Sequence, residues 1–227
     1  MRCPKTRHPM TFPEANAKAI SLENGSTSPA SQADGGSRGG SRTLSIVVPC
    51  HNEEKVLSET TERLIGVMDA LVANGSVVDP KVFYVDDGSA DKTWEIIEDL
   101  AREDSRIHGL KLSRNFGQQN AILAGLLNVP GDILISIDAD LQDDVNAMGE
   151  MVQAYSGGAD VVYGIRSDRT TDSFFKRATA EWYYRLLHAM GVKLVFNHAD
   201  FRLMSRRVIE ELRQCNESNL LLRGLIP

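Results

Sequence analysis

Short apolar runs alternate with amphipathic stretches over most of this chain, and that alternation limits the folds open to it. The runs have the length and composition of buried strands and cover residues 44–49, 81–85, 107–112, 133–137, 160–163 and 201–204. The stretches between them have helical spacing of apolar residues and cover 53–73, 91–102, 117–128, 145–155, 174–190 and 206–214. Strand–helix alternation of this kind predicts an α/β fold, in which helices cover both faces of a mostly parallel sheet.

The first 42 residues differ in composition from the rest of the chain. They are rich in Ser, Gly and Pro and include the run GGSRGG at 35–40. Such a segment buries too little apolar surface to offset the entropy lost on ordering. We therefore predict a disordered tail over residues 1–42 and one folded domain over residues 43–227. The apolar ending, residues 220–227, leads us to expect a domain truncated at its C-terminus.

Composition and missing motifs exclude several classes of protein. The formal net charge of −6 argues against a general nucleic-acid-binding protein. The three cysteines lie far apart and form neither a disulfide framework nor a zinc motif, which fits a reducing compartment. No apolar run reaches the roughly 18 residues of a transmembrane helix. The chain also lacks G-x-G-x-x-G, Walker A and G-x-S-x-G elements, which disfavours dinucleotide-binding proteins, P-loop NTPases and α/β-hydrolases.

Two aspartates directly follow the apolar run at 133–137. Asp138 and Asp140 therefore stand where a predicted strand ends and a loop begins. In open α/β sheets this edge is where ligands bind. Mg²⁺ and Mn²⁺ prefer oxygen ligands and are often held by one or two carboxylates together with substrate phosphates. The pair is thus a candidate metal and diphosphate site, and the alternative is a solvated acidic turn.

Polar and charged residues suited to a ligand follow other predicted strands as well. They are His51, Asn52 and Glu53 after the first strand, Asp86, Asp87, Gly88 and Ser89 after the second, Arg114 after the third, Arg166, Arg169 and Lys176 after the fifth, and Asp200 and Arg202 beside the sixth. Acids at strand ends suit nucleoside groups, and clustered Arg and Lys suit phosphates. Each group has a structural alternative: Asn52 and Ser89 as helix caps, Arg114 in a surface ion pair, and Arg166 in a solvated basic loop.

Taken in order, these motifs resemble those of inverting family 2 glycosyltransferases with the GT-A fold. Within that group the chain is most similar to polyprenyl-phosphate glycosyltransferases. The resemblance runs from about residue 44 to residue 227 and rests on VVPCHNEE, VDDGSADKT, LSRNFGQQNAILAG, IDADLQD, VVYGIR and ADFRLMSRR. Six such motifs in one order make the resemblance specific.

The resemblance implies roles for individual residues. The residues implied to border the nucleotide sugar are Pro49, His51, Glu53, Asp86, Asp87, Asp138, Ala139, Asp140 and Arg166. The implied metal-side ligands are Asp138, Asp140 and Gln142, and the implied catalytic residues are Asp138, Asp140 and Arg166. Relatives often carry Tyr at the position of His51.

The implied reaction moves a sugar, with inversion, from a UDP-glucose-like or GDP-mannose-like donor to undecaprenyl or dolichyl phosphate, with Mg²⁺ or Mn²⁺ as cofactor. The resemblance also implies work at the cytoplasmic face of a membrane, through a C-terminal segment that this chain lacks, and leaves a homo-oligomer open. Two alternatives stand beside it: a family 2 transferase with a polysaccharide acceptor, and a non-catalytic nucleotide-sugar-binding domain. The basic stretch after the fifth strand and Gln142 favour the lipid phosphate.

Overall fold

The computed structural model of the chain describes residues 17–22, 42–140, 142–166 and 198–214. The strands are β1 (Ala17–Leu22), β2 (Thr43–Cys50), β3 (Val78–Asp86), β4 (Ile107–Lys111), β5 (Ile133–Ser136), β6 (Val161–Arg166) and β7 (His198–Ser205). The helices are α1 (Leu57–Ala73), α2 (Thr93–Glu103), α3 (Gln118–Asn128), α4 (Met148–Ser156) and α5 (Arg206–Gln214), and a 3-10 turn, Val145–Ala147, precedes α4. The helix predicted over 174–190 lies outside the described residues.

The strands form one seven-stranded sheet in the order β1-β6-β7-β5-β2-β3-β4. β2 pairs in parallel with both β3 and β5, β3 pairs in parallel with β4, and β1 pairs in parallel with β6. β7 is inserted between β5 and β6 and runs antiparallel to both. The prediction of a mostly parallel α/β sheet is therefore confirmed.

The order of the strands reverses between β2 and β5. From β2 the chain adds β3 and β4 on one side and then returns to place β5 on the other side of β2. Connections that leave two neighbouring parallel strands in opposite directions open a crevice above their carboxyl ends, where ligands bind in sheets of this type. The carboxyl ends of β2 and β5 therefore mark the place to examine for a site.

Side chains alternate between the two faces along β2, as they must in any strand. Ile46 and Val48 belong to a buried cluster that includes Leu64 of α1, whereas Val47 belongs to a second cluster that includes Leu126 of α3. All five side chains are essentially inaccessible to solvent. The sheet is thus covered on both faces, as the sequence predicts. The strands below the crevice are closely packed on both sides.

Residues 17–22, which the sequence analysis placed in a disordered tail, form the edge strand β1. This strand pairs with β6 residue by residue, from Ala17 opposite Val161 to Leu22 opposite Arg166. Pairing at a sheet edge is made by backbone hydrogen bonds, so it does not depend on the apolar content from which the tail was predicted. The other residues before 42 lie outside the described part of the chain.

Helix α1 begins at Leu57, four residues later than the predicted start. The backbone N–H of Glu53 donates to the Thr93 hydroxyl at 2.8 Å, and the carbonyl of Glu53 accepts from Val56 and Leu57 in a turn before the helix. The segment from 51 to 56 is therefore a loop over the end of β2. Its side chains are free to point toward the crevice rather than along a helix.

Close packing of α3 on the sheet depends on Gly125. A Cβ atom at this position would lie 2.4 Å from Val47 Cγ1 and 3.0 Å from Val85 Cγ2. We expect Gly125→Ala to lower the free energy of unfolding by about 1 kcal/mol or more, because overpacking outweighs the better helix propensity of Ala. The matched control is Gly66→Ala in α1, where nothing lies within 4 Å and a gain of about 0.5–1 kcal/mol is expected. Chemical denaturation measures both, and a gain in both variants would contradict this packing.

Candidate active site

A cleft of about 330 Å³ opens above the carboxyl ends of β2 and β5. The residues that line it come from the end of β2, the loops after β2, β3, β4 and β5, and the start of α3. They are Pro49, Cys50, His51, Glu53, Asp87, Asn115, Gly117, Gln118, Asp138, Ala139 and Asp140. Most of the residues proposed from the sequence therefore meet here. Asp86 lies beneath the cleft, fully buried, and Gln142 lines a neighbouring surface groove. Arg166 ends β6, and its side chain lies outside the described part of the structure.

Asp138 stands at the centre of a group of carboxylates. Its pKa is raised to about 6, first because the carboxyl is buried and then because Asp200, Asp143 and Asp140 add negative charge nearby. Gln118 partly opposes this shift, since its side-chain N–H donates to Asp138 Oδ1 at 2.7 Å. The cleft therefore carries concentrated negative charge at the end of β5.

The second aspartate of the pair is held differently. Asp140 is exposed, and its Oδ1 accepts the backbone N–H of Gln142 at 3.1 Å, which closes a short turn. The two aspartates are thus a half-buried and an exposed carboxylate at one end of the cleft.

These residues fit a divalent cation that is shared with a ligand. Burial is the main cause of the raised pKa of Asp138, and the neighbouring carboxylates raise it further. A cation would stabilise the charged carboxylate and offset the repulsion between these groups. Among the described residues, no group of three or more His, Cys, Asp or Glu side chains is arranged to hold an ion unaided. That agrees with the usual mode of Mg²⁺ binding, in which one or two carboxylates are completed by substrate phosphates and water.

Asp86 and Asp87, at the end of β3, have separate tasks. Asp86 Oδ1 accepts the backbone N–H of Ser89 at 3.0 Å, whereas its buried Oδ2 has no hydrogen-bond partner among the described residues. Asp87 accepts the backbone N–H groups of Phe116 and Gly117, at 2.7 and 2.8 Å, one on each carboxylate oxygen. Asp87 therefore ties the loop after β4 to the end of β3 while it also lines the cleft.

The suggested helix caps are not used in the predicted way. Asn52 Oδ1 accepts the backbone N–H of Ala90 at 2.9 Å and so links two loops. At the start of α2, Asp91 Oδ1 rather than Ser89 accepts the backbone N–H of Thr93. Asn52 has φ of +59°, a left-handed conformation that Asn tolerates better than most residues.

Glu53 lines the cleft together with Asp140, and the two carboxylates affect each other electrostatically. Its pKa is raised by burial, then by Asp140 and Asp91, while His51 opposes the shift. Glu53 thus adds to the negative potential that Asp138 and Asp140 create in the cleft.

Asp200 and Arg202 form a buried ion pair next to the site. Arg202 donates to Asp200 Oδ1 at 2.9 Å, and both side chains are almost inaccessible to solvent. Gln119 donates to Asp200 Oδ2 at 2.9 Å. The sequence placed this acid and base at the site's edge, and in the structure the charge of Arg202 faces Asp200 rather than the cleft.

Two amide residues in the cleft, Asn115 and Gln118, were not singled out from the sequence. Asn115 lies in the loop between β4 and α3, and Gln118 is the first residue of α3, next to the loop where the sequence analysis chose Arg114. The guanidinium of Arg114 instead lies 4.6 Å from the centroid of the Phe116 ring. The signal that could have found them is Gly117, which takes a φ of +91° directly before α3 and so turns its neighbours toward the sheet edge.

A search for membrane-spanning segments in the described residues finds no helix with the length and apolar character that crossing a bilayer requires.

The family model described as glycosyl transferase family 2 matches residues 45–213. Among curated proteins, the chain is 48% identical over 187 residues to the uncharacterized glycosyltransferase YkoT of Bacillus subtilis (strain 168), covering 81% of this chain and 56% of that protein. It is 38% identical over 187 residues to the bactoprenol glucosyl transferase of Shigella phage SfV, covering 81% of this chain and 58% of that protein. The chain thus spans a little over half the length of these relatives.

Two solved structures have a similar fold. The mannosyltransferase PcManGT from Pyrobaculum calidifontis, in complex with GDP-Man and Mn²⁺, has a TM-score of 0.54 and 18% identity and covers 82% of this chain and 50% of that one. The glucosyl-3-phosphoglycerate synthase from Mycobacterium tuberculosis, in complex with Mn²⁺, UDP-Glc and phosphoglyceric acid, has a TM-score of 0.51 and 25% identity and covers 74% of this chain and 58% of that one. The expected GT-A fold is therefore confirmed, and the chain belongs to glycosyl transferase family 2.

Proposed function

We propose that the protein is a hexosyltransferase that moves a sugar from a nucleoside diphosphate sugar to a polyprenyl phosphate, with inversion and with a divalent cation. The observation that carries the proposal is the cleft at the switch point between β2 and β5, in which Asp138 and Asp140 stand opposite loops suited to a nucleoside. The similarity to a bactoprenol glucosyl transferase supports the choice of acceptor. A nucleoside diphosphate sugar as donor agrees with GDP-Man and UDP-Glc in the two structures of similar fold.

In this proposal the donor lies across the cleft. Asp138 and Asp140, with Gln142 as the third ligand that the resemblance implies, would hold the cation next to the diphosphate. Pro49, His51, Glu53, Asp86, Asp87 and Ala139 form the part of the site that borders the nucleotide sugar. When bound, Mg²⁺ or Mn²⁺ supplies positive charge that stabilises the departing nucleoside diphosphate.

The chemical step is a direct displacement at the anomeric carbon. An oxygen of the acceptor phosphate forms the new bond to that carbon while the bond to the diphosphate oxygen breaks, and the nucleoside diphosphate leaves. A phosphate is already anionic at neutral pH, so the reaction needs no strong general base. The task left to the protein is to orient the acceptor in line with the leaving group.

Arg166 is proposed to orient the phosphates, with Arg169 and Lys176 after it. The topology supports this: β5 and β6 both run antiparallel to β7, so their carboxyl ends lie at the same edge of the sheet. Arg166, the last residue of β6, is therefore at the same edge as Asp138. A polyprenyl acceptor also puts the reaction at a membrane surface, which we assign to the cytoplasmic face.

The test of this function is a transfer assay with purified protein. UDP-glucose or GDP-mannose, labelled in the sugar, is incubated with undecaprenyl or dolichyl phosphate in detergent, with Mg²⁺, Mn²⁺ or chelator. The expected result is cation-dependent transfer of label to the lipid, with NMR of the product showing inversion at the anomeric carbon. Transfer to a glycan instead of the lipid would favour a polysaccharide transferase, and donor binding without turnover would favour a non-catalytic binding domain.

Replacing Arg166 should separate binding from stability. We expect Arg166→Ala to weaken donor binding or transfer at least tenfold, because a hydrogen bond to a charged group contributes about 1.5–3 kcal/mol. Stability should change by less than about 0.5 kcal/mol, because in this proposal the guanidinium serves the phosphates and not the fold. Arg102→Ala is the matched control, since this exposed arginine on α2 pairs only with Glu98 and Asp99 of its own helix among the described residues. Thermal denaturation measures the stability of each variant, and calorimetric titration measures its affinity for the donor. A loss of stability with normal binding in Arg166→Ala would make Arg166 a structural residue.

A further inference from the structure

The imidazole of His51 contacts all three loops that follow β2, β3 and β4. Its Nδ1 lies 3.0 Å from the backbone carbonyl oxygen of Asp87, in the loop after β3. Its Nε2 lies 3.2 Å from the side-chain nitrogen of Asn52 and 3.1 Å from that of Asn115, in the loops after β2 and β4. These loops make one wall of the cleft, so His51 is in a position to fix how they sit relative to one another.

The surrounding bonds determine which ring nitrogen carries the proton. Asn52 Oδ1 accepts the backbone N–H of Ala90 at 2.9 Å, and Asn115 Oδ1 accepts the backbone N–H of Gly117 at 3.0 Å. Because both amide oxygens are engaged, both NH₂ groups are the ends that face His51. Nε2 must then be an acceptor, and Nδ1–H must donate to the Asp87 carbonyl. The arrangement is satisfied by one neutral tautomer, with its proton on Nδ1.

Further bonds join the same loops around the ring. The Asp87 carboxylate accepts from the backbone of Phe116 and Gly117, and the backbone N–H of Asn52 donates to the Ser89 hydroxyl at 3.0 Å. His51 is exposed, so each of its bonds competes with water and contributes modestly by itself. Three such bonds on one rigid ring, within a network that already links the loops, restrict the shape of the wall more than one bond would.

We propose that His51 is a positioning residue, whose neutral Nδ1–H imidazole holds the three loops in the arrangement that receives the nucleoside of the donor. This role differs from direct contact between the ring and the base, which an aromatic side chain at this position would otherwise indicate. The proposal rests on the proposed function only in assigning a nucleoside diphosphate to the cleft. The ring's bonding is a property of the protein without ligand.

The tautomer is tested first, on the protein without ligand. Two-bond ¹⁵N–¹H correlation spectra of protein labelled at histidine distinguish Nδ1–H from Nε2–H and from the doubly protonated ring. The expected result at neutral pH is an Nδ1–H signal for His51, assigned by its loss in His51→Gln. A predominant Nε2–H form would overturn the proposal, whether or not the protein binds any nucleotide.

The role in binding is tested by two substitutions that separate hydrogen bonding from ring contact. Gln keeps an acceptor for the two amides but has no ring, whereas Phe keeps a ring but has no acceptor. With UDP and GDP as probes in the presence of Mg²⁺, we expect His51→Gln to bind within about threefold of the unaltered protein and His51→Phe to bind about tenfold more weakly. The reverse order would show that the ring contacts the base and would overturn the proposal.

Matched controls and a double substitution complete the test. His108→Gln and His108→Phe, at a ring that stacks on Phe83 with centroids 4.8 Å apart, should leave nucleotide affinity unchanged. Asn115→Ala should weaken binding and, combined with His51→Phe, should cost less than the sum of the two single losses, since the bond between Asn115 and His51 Nε2 is lost in both. Fully additive losses would count against the link. If neither UDP nor GDP binds the unaltered protein, the proposed function fails. The role of His51 is then decided by its tautomer and by the same double-mutant cycle, measured on the free energy of unfolding.

Discussion

Asp140→Asn is expected to remove most of the cation-dependent affinity for a nucleoside diphosphate and to leave the fold intact. Asn keeps an oxygen that can accept the Gln142 N–H, so the turn that Asp140 closes persists. What it loses is the negative charge that faces the cation. The loss in cation-dependent affinity should be about 100-fold or more, above the 10–100-fold that follows removal of an outer partner of a metal ligand.

Calorimetric titration of UDP and GDP measures this, with Mg²⁺, with Mn²⁺ and with chelator. Asp144→Asn is the matched control, because it removes the same charge four residues away on an exposed side chain whose Oδ1 accepts the Asn146 N–H in its own turn. That variant should bind as the unaltered protein does. Two results would remove the cation from the proposed function. One is an affinity for UDP or GDP in Asp140→Asn equal to that of the unaltered protein. The other is an affinity of the unaltered protein that a chelator does not change.

The sequence was a good guide to the parts of the fold that depend on local pattern. Each predicted run from residue 44 onward that falls in the described residues became a strand, and β5 ends just before Asp138. The place of the aspartates at a strand end followed from the apolar run alone. Helices on both faces followed from the alternation of strand-like and helix-like stretches along the chain.

Long-range pairing was not visible in the same way. Nothing in the residues of β7 shows that this strand runs antiparallel between β5 and β6. Its position depends on which strand edges the rest of the sheet leaves available for pairing. β1 was missed for a related reason, because it adds to an edge through backbone bonds. Local pattern sets the type of an element, and partners elsewhere in the chain set its position.

The roles of side chains at the site were the least predictable part. Asp87 is expected to meet a nucleoside, and in the structure its two carboxylate oxygens also hold the backbone of the loop after β4. His51 is expected to border the nucleotide sugar, and in the structure its ring also contacts three loops. The partners of Asp87 are backbone groups 29 and 30 positions away. The partner of His51 in the loop after β4, the amide of Asn115, lies 64 positions away. No spacing rule within one motif could have revealed them.

The same loops make Gly88 the position where a single methyl group should do the most damage. Gly88 has φ of +70°, and a Cβ there would lie 2.6 Å from both the backbone carbon of Arg114 and the backbone nitrogen of Asn115. Those atoms cannot rotate away as a side chain would, so Gly88→Ala must push apart the loops after β3 and β4. We expect a loss of about 3 kcal/mol in the free energy of unfolding, from backbone strain and overpacking together.

Gly75→Ala separates these two contributions. Gly75 has nearly the same φ, +73°, but nothing lies within 4 Å of its Cβ position, so its Ala variant should lose only the roughly 1–2 kcal/mol of left-handed strain. Denaturant unfolding measures stability, and titration with UDP and GDP measures the site. Gly88→Ala should lose nucleotide affinity because Asp87 and Asn115 move with their loops, whereas Gly75→Ala, at the end of α1, should keep it. Equal losses in the two variants would mean that the loops can separate without strain, and the wall of the cleft would then owe its shape to something other than their close approach.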